Sequence, residues 1–291
     1  MNGRLSSWFA LLGVAAGVAC TDAPVSAGAA GPSVPAEPSP GRVAADDTAA
    51  NVAAPAAIDD GRVAVLVELF TSEGCSSCPP ADDVLAALEH EQPVAGARVI
   101  PLALHVDYWD RLGWKDPFSS ATATKRQSDY RALGAGSYTP QAVVDGSAES
   151  VGSKRAALEK LVGDAARRPH VAMGIGAATR RDPAGGIDVT VTIGALPSDA
   201  SADSEAFVVL AQKSARITVP RGENAGSTLD QTAIARDIVV AGTAPLAGAS
   251  LTATVTPPAD VPLDNLRLVV FVQERASRRL LGAATRDLAA P

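Results

Sequence analysis

Three cysteines, three histidines and two methionines in 291 residues are too few for a disulfide scaffold or a metal-rich protein. Aromatic residues are equally scarce, at 4%, so any core must be packed mainly from aliphatic side chains. There is no basic excess: 25 Lys and Arg stand against 32 Asp and Glu, a formal charge of -7. Such a chain lacks the positive field that phosphate-backbone binding requires, which argues against a nucleic-acid partner. No apolar run outside the N-terminus approaches the roughly 20 residues of a membrane-spanning helix. What is present is 47% hydrophobic and only 20% charged residues, enough to bury a core, over a length that suits two ordinary domains.

The N-terminus carries Arg4, an apolar stretch from Trp8 to Ala19, and then Cys20. A positive residue, a short apolar segment and small residues before a break predict a secretory signal over 1–20. Gly17-Val18-Ala19-Cys20 resembles a bacterial lipoprotein signal, which implies lipidation of Cys20 and membrane contact through it. Residues 21–61 are dominated by Ala, Pro, Gly and Ser without one aromatic, a composition that predicts a tether rather than a packed unit. Localisation is therefore expected to be periplasmic or at the cell envelope.

From residue 62 the texture changes. Val63 to Phe70 is a β-branched apolar run, the pattern of a strand buried on both faces. A turn follows, then Cys75-Ser76-Ser77-Cys78-Pro79-Pro80, then Val84, Leu85 and Leu88 at helical spacing through Glu91. Two prolines fit a helix only in its first turn, so the cysteine pair opens that helix. A second buried strand, Arg98 to Val106, completes a βαβ unit with parallel strands. A helix-like stretch covers Ser119 to Leu133, and Thr139-Pro140 precedes a hairpin turning at Asp145-Gly146. A closing helix then runs to Arg167, with Ser153 as its expected cap. After Pro169 alternating apolar and polar residues predict strands at 188–193, 207–210, 251–255 and 268–272. The expectation is an α/β domain over 62–168 followed by a small all-β, sandwich-like domain over 169–291.

The order β-α-β-α-β-β-α, with Cys-x-x-Cys opening the first helix and Thr139-Pro140 before the third strand, resembles the thioredoxin fold. More narrowly, Glu68-Leu69-Phe70-Thr71-Ser72-Glu73-Gly74-Cys75-Ser76-Ser77-Cys78-Pro79-Pro80-Ala81-Asp82 resembles the signature of the DUF1223 family of exported thioredoxin-like proteins. His105 to Asp110, Gly113 to Phe118, Tyr138 to Gln141 and Arg221 to Gly226 are similar to its other blocks. The resemblance implies a cis Pro140 facing the cysteines, and a buried acid, Glu68, serving as general base for Cys78. The competing reading of Glu68 is an ordinary strand-end carboxylate.

Three readings of the pair stay open. As a thiol–disulfide oxidoreductase, Cys75 would be the exposed nucleophile, made acidic by the helix N-terminus, and Cys78 the resolving thiol. Protein thiols or disulfides, or an envelope redox partner, would be its substrates. Thr139, Tyr108, Trp109 and His105 would line the substrate site at the C-terminal ends of the parallel strands. Alternatively Cys75, Cys78 and His105 would bind copper(I). In the third reading the pair is a structural disulfide in a non-catalytic interaction protein, with Arg221, Glu223 and Asn224 as a contact site. No cofactor is implied.

Overall fold

The computed structural model describes residues 61–134, 136–180 and 185–288. The expected signal, the lipidation site Cys20 and the tether before Gly61 lie outside them. Strand β1 (Val63–Thr71) leads into helix α1 (Pro79–Glu91) and strand β2 (Ala97–His105). The two strands are parallel, in register from Val63 opposite Ala97 to Thr71 opposite His105. A 3-10 turn (Asp107–Leu112), helix α2 (Ala121–Asp129) and a second 3-10 turn (Tyr130–Leu133) follow. Strand β3 (Gln141–Val144) runs antiparallel to β1, and β4 (Ala148–Val151) returns beside it. Asp145 and Gly146 both take positive φ in the turn between them, as an Asp-Gly hairpin requires. Helix α3 (Arg155–Ala166) closes this part; its cap position falls on Lys154, one residue beyond the expected Ser153, and carries no side-chain cap.

The remaining strands are β5 (Met173–Arg180), β6 (Ile187–Ile193), β7 (Ser204–Thr218), β8 (Thr228–Thr243), β9 (Ala249–Val255), β10 (Leu266–Glu274) and β11 (Leu280–Asp287). They do not form a sheet system of their own. Strands β7, β8, β10 and β11 extend the first sheet, giving one eight-stranded sheet in the order β11-β10-β7-β8-β2-β1-β3-β4, while β5-β6-β9 form a separate three-stranded sheet. The join is narrow, a single parallel pair between Ala103 of β2 and Ile234 of β8. The change of texture near Pro169 thus marks a change of secondary structure inside a mixed α/β sheet.

Three apolar cores follow from this arrangement. Val65, Val67 and Leu69 of β1 pack under Leu85 and Leu88 of α1 and Leu158 and Val162 of α3. Leu66 and Phe70, on the other face of β1, pack with Tyr130 and with Val209, Val269 and Phe271 of the long strands. The third core lies between the two sheets, with Val189 and Val191 of β6 against Val208, Val270 and Val272. Each fully buried Leu, Val or Phe contributes about 1.5–3 kcal/mol relative to exposure.

Candidate functional site

Strands β1 and β2 end side by side at Thr71 and His105, and everything of chemical interest gathers at that edge. Such an edge, outside the C-terminal ends of parallel strands, is where open α/β sheets hold their ligands. Past Thr71 the chain turns through Ser72–Gly74 and reaches the cysteines. Cys75 and Cys78 are joined as a disulfide, with Cys78 at the N-cap of α1 and the prolines in its first turn. The Ala81 and Asp82 N–H groups donate to the Cys78 carbonyl, and the sulfurs sit at the positive end of the helix dipole.

Several expected site residues do converge here. The Thr139-Pro140 peptide is cis, and the Thr139 hydroxyl lies 3.3 Å from Cys75 Sγ. The indole N–H of Trp109 donates to the same hydroxyl at 2.8 Å. Gly74 packs so closely on Trp109 that an added Cβ would stand 3.3 Å from the Trp109 Cβ. Tyr108 packs partly buried against the core that holds Phe70 and Tyr130, with Gln127 and Thr139 beside its phenol, whose pKa burial raises.

Three expectations need correction. Neither sulfur is exposed: Cys75 and Cys78 are both fully buried, whereas Ser76 and Ser77 between them face solvent. Glu68 does not lie beneath Cys78, because it shares a face of β1 with Leu66 and Phe70, opposite the α1 side. There it pairs with the buried Arg126, whose Nη2 donates to it at 3.0 Å, and accepts from the Tyr130 hydroxyl. Arg126 also stacks over Phe271, 4.8 Å from the ring centroid, and donates to Gln273, tying α2 to the long strands. His105 does not join the cysteines as a copper ligand. Its Nδ1 lies 2.7 Å from Asp116, and its ring meets Phe118 edge-on.

Beneath the cysteine loop the structure instead assembles a group that the sequence reading did not single out. Asp116 accepts from the Glu73 N–H at 2.9 Å while it holds His105, and both oxygens of the fully buried Glu73 lack a hydrogen-bond partner. Asp82, in the first turn of α1, accepts from the Thr71 hydroxyl at 2.8 Å and from Gln231. Burial pushes Glu73 up to about 8, against the pull of His105. Burial likewise pushes Asp82 up to about 6. Burial alone would lower His105, but Asp116 raises it, and His105 in turn holds Asp116 low. Glu73 and Asp82 are thus carboxyls raised toward neutrality, on the segments that flank the disulfide in the chain. Glu73, His105 and Asp116 are also the group whose donor atoms come within 4.8 Å of one another, an oxygen and nitrogen set suited to a hard or borderline cation rather than copper(I).

The loop is also held from the far part of the chain. The tip between β7 and β8 reaches it, with Glu223 accepting from the Ser76 N–H at 3.0 Å and from the Ser76 hydroxyl at 2.7 Å. The Asn224 amide donates to the carbonyls of Glu73 at 2.8 Å and Cys75 at 3.0 Å. Of the expected contact residues Arg221, Glu223 and Asn224, the last two meet the cysteine segment.

A family model described as a protein of unknown function, DUF1223, matches residues 66–273, most of the chain and every group just described. The chain belongs to the DUF1223 family. Among solved structures this DUF1223 protein is similar to a structural-genomics protein of Agrobacterium tumefaciens, at 26% identity and a TM-score of 0.58 over 79% of this chain and 96% of that one. It is also similar to HBP35 of Porphyromonas gingivalis, at 14% identity and a TM-score of 0.57 over 79% and 77% of the two chains, a likeness of fold alone. No curated protein matches it.

Proposed function

We propose that this DUF1223 protein is a thioredoxin-like thiol–disulfide exchange protein of the cell envelope, working through Cys75 and Cys78. The observation that carries the reading is the disulfide at the head of α1 with Thr139, beside the cis peptide, set against Cys75. A partner thiolate attacks Cys75, the Cys75–Cys78 bond breaks, and its electron pair leaves on Cys78. A second partner thiol then attacks the mixed disulfide, so the partner is oxidised and the pair reduced; the reverse sequence transfers a disulfide the other way. The helix N-terminus favours the thiolate by about 0.3–2 kcal/mol. Glu73, raised to about 8, and Asp82, raised to about 6, supply groups for the accompanying protons. Trp109 and Thr139 wall the approach, and Pro140 presents substrate backbone.

The N-terminal sequence supports export, with Cys20 lipidated and the following segment acting as a tether; mass spectrometry of the mature protein should find Cys20 removed or lipid-modified. A second reading, a purely structural disulfide, is favoured by one observation, the full burial of both sulfurs. Single substitutions separate the two. Cys78→Ser should trap mixed disulfides through Cys75 in cells, and Cys75→Ser should trap few. Absence of trapped species in both variants would leave the structural reading standing.

A further inference from the structure

The cysteine loop is held from outside by a distant hairpin. Thr218 and Thr228 end a long two-stranded ribbon, and the turn between them is closed by its own hydrogen bonds. The Gly226 N–H donates to Val219, the Ser227 N–H to Asn224, and the Val219 N–H to Ser227. Gly222 and Gly226 take the positive φ this turn needs, at 90° and 83°, and Gly222 lies against Gly74. The ribbon delivers Glu223 and Asn224 to the cysteine loop across 147 to 151 residues of chain.

What these side chains occupy is a short row of backbone groups: one donor, the Ser76 N–H, and two acceptors, the carbonyls of Glu73 and Cys75. A carboxylate and an amide side chain together stand in for what an extended peptide offers, carbonyls and N–H groups in alternation. Once the tip is displaced, the Ser76 N–H opens to water, whereas the carbonyls of Glu73 and Cys75, held by Asn224 in partly buried contacts, need a new donor. A peptide backbone can supply one through its amides. A small thiol that carries no amide cannot.

We propose that Glu223 and Asn224 form a latch that sets the substrate class of the cysteine pair, admitting an extended polypeptide dithiol that replaces the latch's hydrogen bonds and holding off small thiols. The proposal rests on the exchange reading above. In the admitted reaction one peptide thiolate attacks Cys75 and Cys78 leaves as thiolate. The second peptide thiolate then displaces Cys75. Two electrons pass from the peptide dithiol to the pair, the peptide becomes a disulfide, and Cys75 and Cys78 retain the protons the peptide thiols gave up. Both residues are positioning residues, since they act through the loop and not on sulfur.

The test uses the oxidised full chain, reduced either by 2-mercaptoethanol, which carries no amide, or by an unstructured peptide bearing two cysteines, at equal thiol concentration. Thiols are quenched by alkylation and counted by mass. In the wild type the peptide should react at least about tenfold faster than 2-mercaptoethanol, the factor that losing one or two net hydrogen bonds represents. Glu223→Ala with Asn224→Ala should speed 2-mercaptoethanol by about tenfold and change the peptide rate much less, so that selectivity collapses. Glu223→Gln, which keeps an acceptor for the Ser76 N–H, should retain most of the wild-type selectivity, which general loosening of the tip would not explain. Hydrogen exchange on the unsubstituted protein gives an independent reading. The peptide with both cysteines replaced by serine should speed exchange in 219–227 while 72–80 stays protected. Equal wild-type rates for the two reductants, a selectivity unchanged in the double variant, or unchanged exchange at saturating peptide would overturn the latch while leaving exchange chemistry intact. Failure of both reductants on every variant would overturn the exchange reading itself, and the latch with it.

Discussion

Glu73 gives the site a thermodynamic signature that can be measured without knowing any substrate. Its carboxyl is fully buried with neither oxygen hydrogen-bonded, and burial raises its pKa from the ordinary 4.5 to about 8. A group raised in this way keeps its proton in the folded chain through a window in which the unfolded chain has already lost it. Stability therefore falls as pH climbs from about 4.5 towards 8, by at most about 1.4 kcal/mol per unit for one proton. Glu73→Gln replaces the protonated acid with a neutral group of the same shape and abolishes that slope. The raised Asp82 and His105 push in the same direction, but they are present in both chains and largely cancel in the difference. Urea unfolding of the oxidised protein, without reductant, at pH 5.5, 6.5 and 7.5 measures the effect. The stability of Glu73→Gln relative to wild type should rise by roughly 2–3 kcal/mol across those two units. A difference that is flat with pH would show that Glu73 is ionised in the fold and that the buried proton does not exist.

Arg126→Ala should cost about 3–5 kcal/mol in the same unfolding assay, because it strands Glu68 as an unpaired charge in the core. A loss below about 1 kcal/mol would mean that the pair is solvated. Gly146→Ala should lower stability by at least about 2 kcal/mol and depress soluble yield, since an added Cβ would lie 1.9 Å from the Arg278 carbonyl at a position of φ 62°. A neutral outcome there would contradict the close approach of the β3–β4 turn to the β10–β11 turn.

Much of this was legible because the first part announces itself through burial. Two strands apolar on both faces, flanking a helix whose only place for Pro79 and Pro80 is its first turn, locate the cysteine pair at the edge where it is found. The same double burial hid the direction of Glu68. Residues 66, 68 and 70 share one face, but with apolar side chains on both faces of β1, parity alone cannot tell which face α1 covers. Asp82 carried a usable signal, since it stands three residues before Leu85 and hence on the buried side of α1. Glu73 and Asp116 carried none, because an acid in a turn reads as solvated whether or not another loop folds over it. The outer half of the β7–β8 ribbon was missed for a related reason. From Ser214 opposite Thr232 to Thr218 opposite Thr228 its strands pair with each other, and only Ala215, Ile217 and Leu229 mark its less exposed face, too few apolar residues to stand out as a buried strand. The shared sheet was hidden too, since it depends on one strand pair between distant segments.

The central claim, that Cys75 and Cys78 form an exchange-active pair, is tested most directly by its reduction potential. The full chain would be equilibrated with graded ratios of reduced to oxidised dithiothreitol or glutathione, quenched by alkylation, and its free thiols counted by mass. The account predicts a reversible two-electron transition between about -120 and -270 mV, the span of known thiol–disulfide exchange proteins. A pair that stays oxidised below about -300 mV, as structural disulfides of secreted proteins do, would contradict it.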